Sequence, residues 1–266
     1  MTSEPYKLIT EEESVSRCIS LARSFKKIYG SEIVVALDDI YYGDFIATQP
    51  YLERGKLGYV LRKTVLENYN APIIAAVNVS LSREFKAFHE GLYIIDGHHR
   101  AFVGWLIDRD YTPTLEIQFR FPKFYKPRRE FELWSLKTIE DNVQLDERLR
   151  IWRRMAGIIV FYVNLLEGRV HLEYRKVNLD SLIPAQRYLE KSKIKSVINE
   201  PILILQLRNG SNYILDGHAR CWAAKNIYNK SVIDALVLKV YDDTKIGMVD
   251  VAKSQGLRSL NDMELV

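Results

Sequence analysis

The chain has 266 residues, with 38 basic against 34 acidic side chains for a formal charge of +4, and is 47% hydrophobic and 27% charged. That balance excludes disordered and collagen-like chains and suits roughly one to two domains with cores of their own. Two cysteines, Cys18 and Cys221, are too few for a disulfide framework or a four-thiolate zinc site and fit a reducing, cytoplasmic setting.

No basic start followed by an apolar core opens the chain, so no secretory signal is expected. The longest apolar stretch, 155–166, covers about 12 positions where a bilayer crossing needs roughly 20, so no membrane partner is expected. In chain order, Glu11–Tyr29 reads as an amphipathic helix whose acidic first turn complements the helix dipole. The segment Gln49-Pro50-Tyr51-Leu52-Glu53 leads into a helix-like stretch. Two strands follow, at 71–77 and 92–95, and the second runs into Asp96-Gly97-His98-His99-Arg100. A helix then opens at Ala101, and another strand covers 115–119.

The same series recurs. Ile183, Gln186, Tyr188, Leu189, Glu190 and Lys193 match Ile46, Gln49, Tyr51, Leu52, Glu53 and Lys56 at an offset of 183 − 46 = 137, and Asp216-Gly217-His218-Ala219-Arg220 matches the turn at 216 − 96 = 120. The first copy therefore holds 137 − 120 = 17 extra residues between the motifs. Duplication of an α+β unit explains this, with Asn209-Gly210 as a hairpin turn in the second copy. The expected division is a first domain over 1–130 with its leading helix, a connector over 131–170 and a second domain over 171–266. Within the connector, a helix is expected at 139–155 and an apolar strand or helix at 158–166. A short helix closed by Gly256 is expected over 247–257.

The strand-to-helix joint concentrates chemistry. Gly97 or Gly217 permits a tight turn, and the new helix offers amides without intrahelical acceptors to an anion. Arg100 or Arg220 adds a fork that matches phosphate oxygens. His98, His99 or His218 can donate to phosphate or relay a proton. Asp96 or Asp216 can hold Mg²⁺, take a proton from an attacking hydroxyl, or simply cap its helix. Gln49 or Gln186 forms a second wall, and Lys56 or Lys193 falls in the first turn of the following helix, facing an anion or solvent.

At these residues the sequence resembles the ParB/sulfiredoxin-like superfamily, whose nucleotide-phosphate loop has the form Gly-x-His/Arg-Arg. The likeness covers about 45–120 and 175–260, so it implies two tandem ParB/sulfiredoxin-like α+β domains joined by a helical connector. Asp-Gly-His-His-Arg is most similar to the archaeal free-serine kinases. That resemblance implies ATP or ADP with Mg²⁺ as cofactors and phosphorylation of a small hydroxyl-bearing substrate. Sulfiredoxins carry a reactive Cys where His98 and His218 stand, and partition ParB proteins carry a helix-turn-helix domain, for which the stretch after Arg220 is expected to be too short. The kinases use an upstream Glu as base; Gln49 and Gln186 stand near that place, leaving Glu190 or Asp216 as substitutes. Ala219 replaces His99 in the second copy; if the kinases' histidine is required at that place, only the first copy is active. Two other functions fit the sequence: a nucleic-acid-binding or nuclease module using the basic runs 123–129 and 148–154, and a non-catalytic nucleotide sensor.

Overall fold

The computed structural model of the chain describes all residues except 1–5, 31, 50, 82–86, 108, 121–124, 127–133, 138–144, 195–198 and 242–244. The fold is α+β and divides into two similar units, Met1–Asp146 and Glu147–Val266. The first contains α1 (Glu11–Tyr29), β1 (Ile33–Tyr41), β2 (Phe45–Ala47), α2 (Arg54–Glu67), β3 (Ile73–Leu81), β4 (Ala87–Asp96), α3 (His98–Leu106), β5 (Tyr111–Arg120) and β6 (Trp134–Ser135). The second contains α4 (Glu147–Leu165), β7 (Val170–Asn178), β8 (Leu182–Ile183), β9 (Tyr188–Leu189), α5 (Lys191–Ile194), β10 (Ile202–Gln206), β11 (Asn212–Asp216), α6 (His218–Asn226), β12 (Val232–Val240), α7 (Gly247–Ser254) and β13 (Glu264–Leu265).

The two main sheets share one topology. In the first the order is β1-β5-β3-β4-β2, with β6 added at the end; in the second it is β7-β12-β10-β11-β8. The outer pair is antiparallel, the next parallel, the central hairpin antiparallel and the last pair parallel, in both sheets.

Repeat arithmetic locates the 17 extra residues. Strand β3 begins at 73 and β10 at 202, an offset of 129, so 137 − 129 = 8 residues are lost between the Gln motif and this strand. There α2 has 14 residues and α5 has 4. The other 129 − 120 = 9 are lost in the hairpin, where β3 and β4 are 9 and 10 residues long but β10 and β11 only 5 each.

The expected connector is corrected. Helix α4 runs from Glu147 through the apolar 158–165 stretch, so over the described residues the two expected pieces form one helix, and the expected positions 139–144 lie outside the described residues. It leads the second unit as α1 leads the first, and the leading helices thus belong to the repeat. Helix α1 forms where the sequence signals place it: Thr10 accepts from the Glu13 amide, Glu13 returns the bond to Thr10, and Gly30 closes the helix in the left-handed conformation. Ser14 and Cys18 are its buried stripe, one turn apart, and Leu21, Ala22 and Phe25 continue it onto Ile74, Ile117 and Phe119 of the sheet.

Alternating residues of β10 serve two cores. Ile202 and Ile204 pack with Ile214, Cys221 and Val237 on one face, while Leu205 packs with Tyr162, Tyr213 and Leu238 on the other. A sheet covered on both faces needs continuous aliphatic strands, which Ile202-Leu203-Ile204-Leu205 supplies.

Candidate functional site

Each central hairpin carries a bulge beside the site. Ile74 pairs with Asp96 but Ala75 with Ile94, and Leu203 pairs with Asp216 but Ile204 with Ile214. Ile95 and Leu215 are therefore the extra residues, and the bulge re-aims the aspartate that follows. Gly97 (φ 98°) and Gly217 (φ 101°) then reverse the chain in the left-handed region, and α3 and α6 begin at once. Among the described residues no side chain caps either helix. The first intrahelical bonds reach Gly97 and Gly217 from Ala101 and Cys221, so the amides before them have no helical acceptor.

The arginines of the motif are braces. Arg220 donates from Nη2 to Oδ2 of Asp216 over 2.7 Å. Arg100 donates to the Pro72 carbonyl over 3.1 Å and to the Tyr69 hydroxyl over 3.5 Å, with Asp96 at 3.9 Å. Both guanidiniums fold back against the turn: a Cβ on Gly97 would lie 2.7 Å from Nη2 of Arg100, and one on Gly217 2.9 Å from Nη2 of Arg220. In both residues Nε is buried without an acceptor among the described residues. The forks expected to clamp phosphate are thus engaged by the protein itself.

The histidines expected to donate to phosphate or relay a proton pin the Gln segment. Nε2 of His98 accepts the Thr48 amide at 3.2 Å, and Nε2 of His218 accepts the Ala185 amide at 3.0 Å, with donors 137 residues apart. Accepting at Nε2 places the proton of the neutral ring on Nδ1. Burial pushes both histidines down to about 4, so both rings are neutral at pH 7. His99 likewise accepts the Glu53 amide at 3.1 Å and is pushed down to about 4 by burial and then by Lys56. Ala219 leaves the second unit without this tie.

A cleft opens at each turn. The first, about 210 Å³, is lined by Arg17, Gln49, Lys56, Asp96, Gly97 and the start of α3. Lys56 is half-buried in the first turn of α2, and no described residue forms an ion pair or hydrogen bond with it. Gln49 donates to the Tyr51 carbonyl. The second cleft, about 420 Å³, is lined by Arg154, Gln186, Lys193, Asp216 and apolar Ile151, Leu189 and Leu215. Here Lys193 is bound to Glu190 at 2.9 Å. Glu190, an expected base, is exposed, outside the lining of the cleft, and engaged by that lysine.

Sequence reasoning missed Arg17 and Arg154, which reach the two aspartates from the leading helices. Arg17 donates from Nη1 to Oδ2 of Asp96 at 2.8 Å. Arg154 binds Asp216 with two bonds, Nε to Oδ1 at 2.7 Å and Nη2 to Oδ2 at 3.2 Å. Burial opposes the charge on Asp216, but Arg154 and Arg220 outweigh it and hold this carboxyl below its ordinary value. Positions 17 and 154 are 137 apart, the offset of the Gln motif. Comparing 11–29 with 148–166 at that offset gives this arginine as the one identity, the signal that would have found it.

Mg²⁺ on Asp96 or Asp216 would have to displace an arginine already bound there. Each carboxylate already accepts from a guanidinium, whose positive charge lies where the cation would have to sit. No group of three metal-ligating side chains occurs among the described residues. Cys18 and Cys221 are buried, and burial raises their thiols to about 11 and about 12, as inert core thiols require. The basic run 148–154 spends its charges within its own unit, with Arg148 near Glu200, Arg150 near Glu147 and Arg154 on Asp216. Most of the 123–129 run lies outside the described residues; Tyr125 packs with Phe25, Tyr93 and Phe119.

Among the described residues no helix is long and apolar enough to cross a membrane. No protein-family model matches the chain. Over 124 residues the chain is 30% identical to the uncharacterized protein MJ0188 of Methanocaldococcus jannaschii, a similarity that covers 43% of this chain and 45% of that protein.

Proposed function

We propose that the first unit is a ParB/sulfiredoxin-like domain whose cleft binds the phosphates of ATP or ADP and passes a phosphoryl group to a small hydroxyl-bearing acceptor. One observation carries this reading: Lys56, half-buried and unpaired among the described residues, faces the uncapped start of α3 across one cleft. A cation beside free amides favours a multiply charged anion. The resemblance to the free-serine kinases supplies the reaction. The acceptor oxygen attacks the terminal phosphorus, the bridging P–O bond breaks, and the shortened nucleotide leaves with that bridging oxygen. Asp96, the one carboxylate among the residues lining this cleft, takes the hydroxyl proton. Positioning and charge neutralisation do most of the work in such transfers. Mg²⁺ enters this reading only as an ion brought by the nucleotide.

The second unit acts as a scaffold in this proposal. Its lysine and aspartate are both paired internally, and Ala219 cannot hold the residue preceding the short α5. The reading is tested by phosphorus NMR of the protein with ATP or ADP, Mg²⁺ and a panel of small hydroxyl acceptors including L-serine. A new phosphate-ester resonance that disappears in Lys56→Ala supports it. Nucleotide binding without ester formation or nucleotide cleavage contradicts the transferase and leaves a nucleotide sensor.

A further inference from the structure

The leading helices present one arginine each to the two clefts, and they hold it differently. Arg154 forms a two-bond fork with Asp216, whose Oδ2 also takes Arg220, so both oxygens are occupied by guanidiniums. Arg17 makes a single bond to Asp96, whose Oδ1 is taken by the Gly97 amide, while Arg100 stands 3.9 Å from Oδ2. The Arg17 side chain is 56% exposed and lines the first cleft together with Lys56. Among the described residues its bond to Asp96 is its only hydrogen bond, which leaves most of its five N–H donors unspent. Across the 19 positions of α1, this arginine is also the only residue kept at the repeat offset. Its neighbours have changed freely as long as Ser14 and Cys18, or Ile151 and Met155, stay buried.

We infer that Arg17 is the guanidinium that meets the ligand's phosphate in the first cleft, and that Asp96 holds it ready until the ligand arrives. This deepens the proposed function and rests on the first cleft as the phosphate site. Arg100 cannot serve that purpose while it braces the turn, whereas Arg17 can offer two parallel N–H donors to phosphate oxygens without losing a buried contact. The single bond to a partly exposed carboxylate is a weak restraint, of the kind that costs little to exchange. In the second unit the same arginine is locked, because Asp216 itself fills the fork that a phosphate would need.

The test is calorimetric titration of the full chain with ADP, comparing wild type, Arg17→Ala, Arg17→Lys, Arg154→Ala and Lys56→Ala, with a thermal melt of each. Arg17→Ala is expected to weaken ADP binding at least tenfold with its melting temperature little changed. Arg17→Lys is expected to recover part of that loss, and Arg154→Ala to bind ADP as wild type does. Normal ADP affinity in Arg17→Ala and Arg17→Lys, with a loss in Lys56→Ala, overturns the assignment of Arg17 and leaves the cleft reading standing. No ADP binding by the wild type overturns the cleft reading itself.

Discussion

Nη2 of Arg220 donates to Oδ2 of Asp216, four residues earlier, across 2.7 Å with both side chains buried, whereas the equivalent Arg100 stands 3.9 Å from Asp96. The two turns share a backbone and differ in how tightly their charges are closed. Removing one partner from a buried ion pair strands the other. Asp216→Ala is therefore expected to cost about 3 kcal/mol, the low end for a buried pair because Arg154 is half exposed. Asp96→Ala, removing a more exposed carboxylate that accepts one guanidinium bond rather than three, is expected to cost about 1 kcal/mol or less. Urea denaturation checks the order; equal costs would contradict it.

Alanine at either glycine of the turns must adopt a positive φ and also meet a neighbour. At Gly97 that neighbour is the end of Arg100, at 2.7 Å, but at Gly217 it is also Cγ2 of Ile202 in the core, at 2.6 Å. A core methyl cannot step aside as a side-chain end can. Gly217→Ala should thus lower stability more than Gly97→Ala, with losses of about 1 to 3 kcal/mol from the backbone alone. Thermal melts of the two variants decide this, and the reverse order would be wrong for this packing.

The histidines give a pH signature. Burial lowers His98 and His218 from 6.5 to about 4, so the unfolded chain takes up protons below pH 6.5 that the folded chain refuses. Their contribution to stability is complete above pH 6.5 and is lost as pH falls towards 4, by roughly 3 kcal/mol per histidine. Asp216, held below its ordinary value, keeps its contribution until more acidic pH. Denaturant midpoints between pH 7.5 and 4 are expected to fall for the wild type and to fall less for His98→Gln with His218→Gln. A flat wild-type profile would contradict buried neutral rings.

Much of this architecture was legible in the sequence because the signals were local. An aliphatic run ending in Asp-Gly-His gives a strand, a reversal and a helix start in one reading, and the Gln motif marks the loop that His98 and His218 pin. Helix α1 was read from its own signals, but its kinship with α4 escaped because a helix face needs only apolar residues at the right spacing: Ser14 and Cys18 can become Ile151 and Met155 without trace. The roles of Arg100 and Arg220 escaped for another reason. Sequence places a guanidinium at the turn, but only packing against Gly97 and Gly217 decides that it points back into the protein.

His99 separates the units. Replacing it by alanine copies Ala219, frees the Glu53 amide and loosens the start of α2, which carries Lys56. ADP affinity in His99→Ala is expected to fall about three- to tenfold, as for the loss of one net hydrogen bond. Unchanged affinity would mean that the tie does not position Lys56.

The most direct measurement is the stoichiometry and site dependence of ADP binding to the full chain. The account predicts one ADP per chain, lost or weakened at least tenfold by Lys56→Ala and unaffected by Lys193→Ala. Binding that survives Lys56→Ala and fails in Lys193→Ala would place the ligand in the second cleft and contradict the account.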